Sequence, residues 1–147
     1  MILKIEQDTI LNDIEITIKY PIIDKTVENI ITFLKSTDTQ IECHSKEAVK
    51  KVNISDIYYI ESMDKLAVVF CESEKYQTKY RLNQLYEILS DKGFVQISKY
   101  CILNINKIDK VKSLLNSRME AILTNGARLY INRSYLANIK RMFQNDK

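Results

Sequence analysis

Glycine and proline are scarce in this 147-residue chain: two glycines, Gly93 and Gly126, and one proline, Pro21. That scarcity excludes a Gly/Ser linker or a low-complexity tail. It also excludes a phosphate-cradling loop, which needs several glycines within a few residues. There is one histidine, His44, and no nucleophile elbow or serine-acid partner to make it catalytic. Cys43, Cys71 and Cys101 are odd in number and widely spaced, so they read as reduced thiols rather than a disulfide framework. No paired spacing of the zinc-site kind accompanies them, and no metal or cofactor is expected. Nothing singles out a catalytic pair among the nineteen carboxylates. Apolar runs last only a few residues, too short for a membrane span. The opening "MILKIEQD" has no basic start followed by an apolar stretch, so no signal peptide is expected. These absences lead to the expectation of a cytoplasmic protein that is not an enzyme.

What is present suits one ordinary domain with a short extension: 46% apolar residues to build a core and 28% charged residues to solvate it. The net charge of +3 is unevenly distributed. Residues 1–50 carry six Lys/Arg against nine Asp/Glu, whereas from Gly93 onward the balance is ten against three. A polyanion would therefore meet the last third of the chain, unless these cations are simply solvated faces.

Two extended segments, "ILKIE" and "IEITIKY", open the chain, with Ile14, Ile16 and Ile18 alternating and Asn12-Asp13 as a turn between them. Asp24 can cap a helix in which Val27, Ile30, Ile31 and Leu34 follow helical spacing. Residues 1–38 thus read as a β-β-α arm and residues 39–147 as the domain proper. Short strands dominate from Thr39: "TQIECHS", "VNISDIYYIE", then "LAVVFCE" and "KYQTKYR" as a hairpin, with Tyr76, Thr78 and Tyr80 on one face. "RLNQLYEILSDKG" is a helix with Leu82, Leu85, Tyr86 and Leu89 inward, and Gly93 suits the position after its end. In "GFVQISKYCILN", Ser98, Lys99 and Tyr100 interrupt two apolar half-strands. Asn125-Gly126 in "MEAILTNGARLYI" favours a type I′ hairpin turn. A last helix runs from about Ser134 with Leu136, Ile139 and Phe143 inward.

No helix carries the basic stripe of a major-groove recognition helix. Basic and amide residues sit instead at strand ends: Lys65, Lys99, Asn106-Lys107 and Arg133. Loops at one end of a packed β domain can converge, and there Arg, Lys and Asn can reach base edges or phosphates. Lys65 and Lys107 also read as plain solvated lysines. Arg133, flanked by Asn132 and Ser134 just before a helix, is the strongest candidate for a base contact.

"ISDIYYIES", "YQTKYRLNQLYEILSDKGFVQISKYCILNINKI" and "LTNGARLYINRSYLANIK" closely resemble, in order and spacing over roughly residues 41–144, the LytTR DNA-binding domain. The resemblance implies a mainly β fold: an elongated, ten-stranded, multi-stranded domain with a crossover helix and a C-terminal helix. Such a domain reads double-stranded DNA with loops that enter two successive major grooves. Members are usually bacterial transcription regulators that bind direct repeats as a homodimer or paired protomers. Carried over by position, the family contacts fall on Lys65, Lys99 with Ser98 beside it, and Arg133 with Asn132 in place of the usual serine. Tyr100 stands where a serine is usual, and Asn104 matches an asparagine that braces a loop. The 38-residue arm is shorter than a phosphorylation-dependent receiver and looks like that of stand-alone LytTR regulators. Many of those are restrained by a small membrane inhibitor protein, which leaves a second reading, a protein-interaction module held by such a partner.

Overall fold

The computed structural model describes residues 1–115 and 118–143. Its first regular element is helix α1 (Lys25–Thr37), and the Asp24 carboxylate accepts the Val27 N–H at 2.9 Å, as expected of an N-cap. Ahead of it, the structure departs from the expected β-β pair. Residues 1–24 form no strand, and their only structured turn is at Asp8–Leu11, where the Leu11 N–H meets the Asp8 carbonyl at 3.3 Å. The alternation is real, but a strand needs an edge to pair with, and among the described residues the segment finds none.

Ten antiparallel strands follow: β1 (Gln40–His44), β2 (Val49–Asn53), β3 (Tyr59–Met63), β4 (Leu66–Phe70), β5 (Lys75–Gln77), β6 (Phe94–Ser98), β7 (Cys101–Asn104), β8 (Ile108–Ser113), β9 (Met119–Leu123) and β10 (Arg128–Ile131). Seven make one sheet in the order β2-β1-β5-β4-β3-β7-β6, and three make a second in the order β10-β9-β8. Helix α2 (Leu82–Leu89) crosses between β5 and β6, and α3 (Leu136–Phe143) closes the described chain. The domain is mainly β with one crossover helix and one terminal helix.

Period-two alternation on the large sheet builds two cores, one on each face. Ile60, Val69, Phe94 and Ile102 point toward α2 and its buried Leu82, Leu85 and Leu89. Val95, Ile97, Cys101 and Leu103 point the other way, onto Ala121, Leu123 and Ile131 of the small sheet and Ile139 of α3. Each such Leu, Ile or Phe contributes about 1.5–3 kcal/mol by leaving water. Helix α1 leans on the turn at Ile54–Asp56, and Gly93 sits close to it. Gly93 has φ +90, and a Cβ there would lie 3.2 Å from Thr32 Cγ2, so both backbone and space favour glycine.

Other expectations shift in detail. "VNISDIYYIE" is not one strand: β2 ends at Asn53, and a 3-10 turn over Ile54–Asp56 redirects the chain into β3. The hairpin β9–β10 does not turn through a type I′ pair, because only Gly126 (φ +89) is left-handed while Asn125 is not. The Gly126 N–H bonds back to the Leu123 carbonyl at 2.9 Å and the Leu123 N–H to the Ala127 carbonyl at 2.8 Å, closing a three-residue loop. Thr78 and Tyr80 lie beyond β5; Thr78 is buried with its hydroxyl on the Ala67 carbonyl at 2.7 Å, while Tyr80 is exposed. In α3, Ile139 is buried and Leu136 half-buried, while the Phe143 side chain lies outside what is described. The cysteines are free thiols, with Cys43 and Cys101 in the two cores.

Candidate nucleic-acid interface

Antiparallel pairing decides which loops share an end. Glu61 of β3 lies opposite Cys101 of β7, so the β3–β4 turn stands beside the β6–β7 turn. The Ser62 N–H donates to the Tyr100 carbonyl at 2.8 Å and locks the two turns together. The first is a two-residue turn between Met63 and Leu66, with Asp64 at φ 52 and Lys65 at φ 72. These are the signs of a type I′ turn made without glycine, a backbone that L-residues adopt only at a cost. It holds Lys65 out in solvent at the tip.

In the second turn, Lys99 and Tyr100 are the two exposed residues between Ser98 and Cys101. A bulge between Gln96 and Ser98 rotates the strand end, and the Tyr100 N–H bonds the Ser98 hydroxyl at 3.3 Å. The Lys99 ammonium lies 5.5 Å from the centre of the Tyr100 ring, a cation–π geometry worth about 0.5–1 kcal/mol at an exposed site.

The third contribution crosses from the small sheet. At the end of β10, the Asn132 N–H donates to the Ile97 carbonyl of β6 at 2.8 Å. The Asn132 side chain accepts the Ser134 N–H at 3.1 Å and the Ser134 hydroxyl at 2.9 Å, starting a 3-10 turn at Arg133. Arg133 is therefore projected from a capped turn beside the β6–β7 loop, exposed and with no ion pair among the described residues. Arg118, which sequence reasoning did not single out, joins this end because Met119 pairs with Ile131. Its guanidinium lies 4.9 Å from the centre of the exposed Tyr130 ring. No motif in the preceding sequence marks Arg118, so only the register of β9 on β10 reveals it.

Asn106 and Lys107 lie elsewhere. They follow the other end of β7, a strand of four residues and about 13 Å. Asn104 anchors that end: buried, it donates to the Ile57 carbonyl at 2.8 Å and accepts the Asn106 N–H at 3.1 Å. The Lys107 ammonium packs 4.9 Å from the centre of the Tyr58 ring. Lys50 and Lys51 flank the same open groove, with Lys50 donating to the Tyr76 hydroxyl at 3.1 Å. Lys65, Lys99 and Arg133 are thus gathered, and Asn106 and Lys107 are not.

Burial pushes the Cys43 thiol up to about 11, with Cys71 nearby adding to the effect, and burial also raises Cys101. Neither is a thiolate at neutral pH. Beside the gathered end, burial raises the Glu61 carboxyl above its ordinary range. What the end offers is four cations, Lys65, Lys99, Arg133 and Arg118, with the Tyr100 and Tyr130 rings and the Asn132 amide, on loops tied by main-chain hydrogen bonds. A guanidinium can take a guanine edge or a phosphate by two hydrogen bonds, and lysine can meet phosphate as a point charge.

Several known proteins are similar to this chain. The sensory transduction protein LytT of Bacillus cereus is 28% identical over 116 residues, covering 76% of this chain and 47% of LytT. The protein of the same name from Enterococcus faecalis is 26% identical over 100 residues, covering 68% and 41%. The transcriptional regulatory protein LytR of Staphylococcus aureus is 23% identical over 103 residues, covering 70% and 42%. The chain thus spans less than half the length of these relatives. A solved LytTr DNA-binding domain of a Bacillus cereus response regulator shares the fold, with a TM-score of 0.68 at 21% identity, covering 73% of this chain and 98% of that one. Residues 47–144 match the family described as the LytTr DNA-binding domain, and the chain belongs to that family.

Proposed function

We propose that this protein is a sequence-specific DNA-binding transcription regulator that reads major-groove edges with loop side chains. The observation that carries the reading is the convergence of Lys65, Lys99 and Arg133 from three loops at one end of a fold of the LytTr family. In this reading Arg133 meets a base edge, Lys99 and Lys65 meet phosphate or base, and Ser98, Tyr100 and Asn132 shape the loops that present them. The protein binds rather than catalyses, works in the cytoplasm, and sits on direct-repeat sites as paired protomers. Residues 1–38 are an arm appended to the reading domain of residues 39–147. The alternative of a module restrained by a membrane protein draws no support from the geometry or the related proteins.

Selection of duplexes from a random pool by the purified chain tests the proposal. Enrichment of a repeated motif, bound with an affinity that falls steeply with salt, is expected because phosphate neutralisation releases counterions. Recovery of unenriched sequence, or an enriched site bound equally well by Arg133→Ala, overturns it.

A further inference from the structure

The stretch "IEITIKY", Ile14–Tyr20, is the largest piece of sequence pattern that the fold leaves unused. Ile14 is 84% exposed, Ile16 59% and Tyr20 46%, an apolar row along one side of an extended segment. Among the described residues, its main chain makes one hydrogen bond, the Ile14 N–H donating to the Asp13 carboxylate at 2.7 Å. It is thus a strand in pattern with no ladder partner, and its apolar face is open apart from the half-buried Ile18.

Its sequence names the partner. The segment is bounded by the Asn12-Asp13 turn and by Pro21, which cannot donate to a ladder, and its midpoint is Thr17. Laid antiparallel on itself about that midpoint, Ile14 faces Tyr20, Ile16 faces Ile18, Thr17 faces Thr17, and Glu15 faces Lys19. Two-fold symmetry makes each pairing occur twice, so two opposite-charge pairs and four apolar pairs form, with no like charges opposed. An axis moved one residue, to Ile16, would draw the turn residues Asn12 and Asp13 into the ladder and leave Glu15 facing Thr17.

We propose that Ile14–Tyr20 pairs antiparallel with the same segment of a second copy of this chain, about a two-fold axis at Thr17. Two strands alone are marginal, and in the same proposal residues 2–6 of each chain, unpaired among the described residues, add as outer strands. The two-fold relates the arm segments alone and not the reading domains; the dimer forms without DNA and does not depend on the DNA-binding reading.

Sedimentation equilibrium of the full chain in DNA-free buffer tests it. The expected result is a concentration-dependent dimer. Glu15→Lys or Lys19→Glu alone opposes like charges twice and weakens association on the order of tenfold or more, while the Glu15→Lys/Lys19→Glu double variant regains the original affinity. Thr17→Cys should oxidise to a covalent dimer under mild conditions, which the Ile16 axis would not bring about. Circular dichroism confirms that each variant is folded. A chain that stays monomeric up to about 100 µM overturns the proposal. So does a dimer indifferent to the single charge changes, or one that the double variant fails to restore.

Discussion

The two ends of the large sheet spend their side chains differently. At the end holding Asn104, loops are tied to one another by side chains: Asn104 to the Ile57 carbonyl, Asn125 to the Glu72 carbonyl at 3.1 Å, and Lys107 over the Tyr58 ring. At the end holding Lys99, the loop-to-loop ties are main-chain bonds, from Ser62 to Tyr100 and from Asn132 to Ile97. Side-chain contacts there stay within one loop, as Asn132 with Ser134 and Lys99 over Tyr100, or reach the neighbouring strand, as Arg118 over Tyr130. Rigidity is thus obtained at both ends, and at the second the Lys65 and Arg133 side chains have no partner among the described residues and are free for a ligand. A binding surface needs that combination, since a preorganised backbone lowers the entropy cost of docking.

The contrast can be broken at four points. Asn104→Ala should have the largest effect on stability, about 2–3 kcal/mol in urea unfolding, because it strands a buried carbonyl and the Asn106 N–H. Arg133→Ala should leave stability nearly unchanged and cost about 1–3 kcal/mol of DNA affinity, relaxing preference at one base position in a competition assay. Lys65→Gly should move the two properties in opposite directions. Relief of the left-handed φ raises the melting free energy by about 0.5 kcal/mol, while loss of the cation weakens DNA binding and flattens its salt dependence. Lys107→Ala should do least, changing affinity by less than about 0.5 kcal/mol in fluorescence anisotropy, because its ammonium is held at the far end. An affinity loss at Lys107 as large as that at Arg133 would erase the distinction between the ends.

The strands and helices with strong periodicity were legible from the residues. "RLNQLYEIL" could only bury one stripe, and Phe94–Ile97 and Cys101–Leu103 could only be half-strands around a polar turn. Strand β8 had no such signal. "IDKVKS" exposes most of its residues at the edge of the small sheet, so its apolar alternation is absent. Turn chemistry misled in a more instructive way. Asn125-Gly126 carries the composition of a type I′ turn but closes a three-residue loop, while the left-handed pair falls on Asp64-Lys65. The register of the flanking strands set both outcomes, and register is a long-range property that no dipeptide encodes. The same holds for the candidate site. Lys65, Lys99 and Arg133 could be named as cations at strand ends, but their grouping, the exclusion of Lys107 and the inclusion of Arg118 follow from which strands run antiparallel to which.

The bond from Asn132 to Ile97 has a further consequence. Arg133 follows a strand of one sheet and Lys99 a strand of the other, so this bond and the inner layer of Val95, Ile97, Leu123 and Ile139 together set the distance between them. A change of volume in that layer would bear on the placement of one candidate contact against the other without touching either. In the proposed reading, operator preference can therefore drift through mutations that never meet solvent.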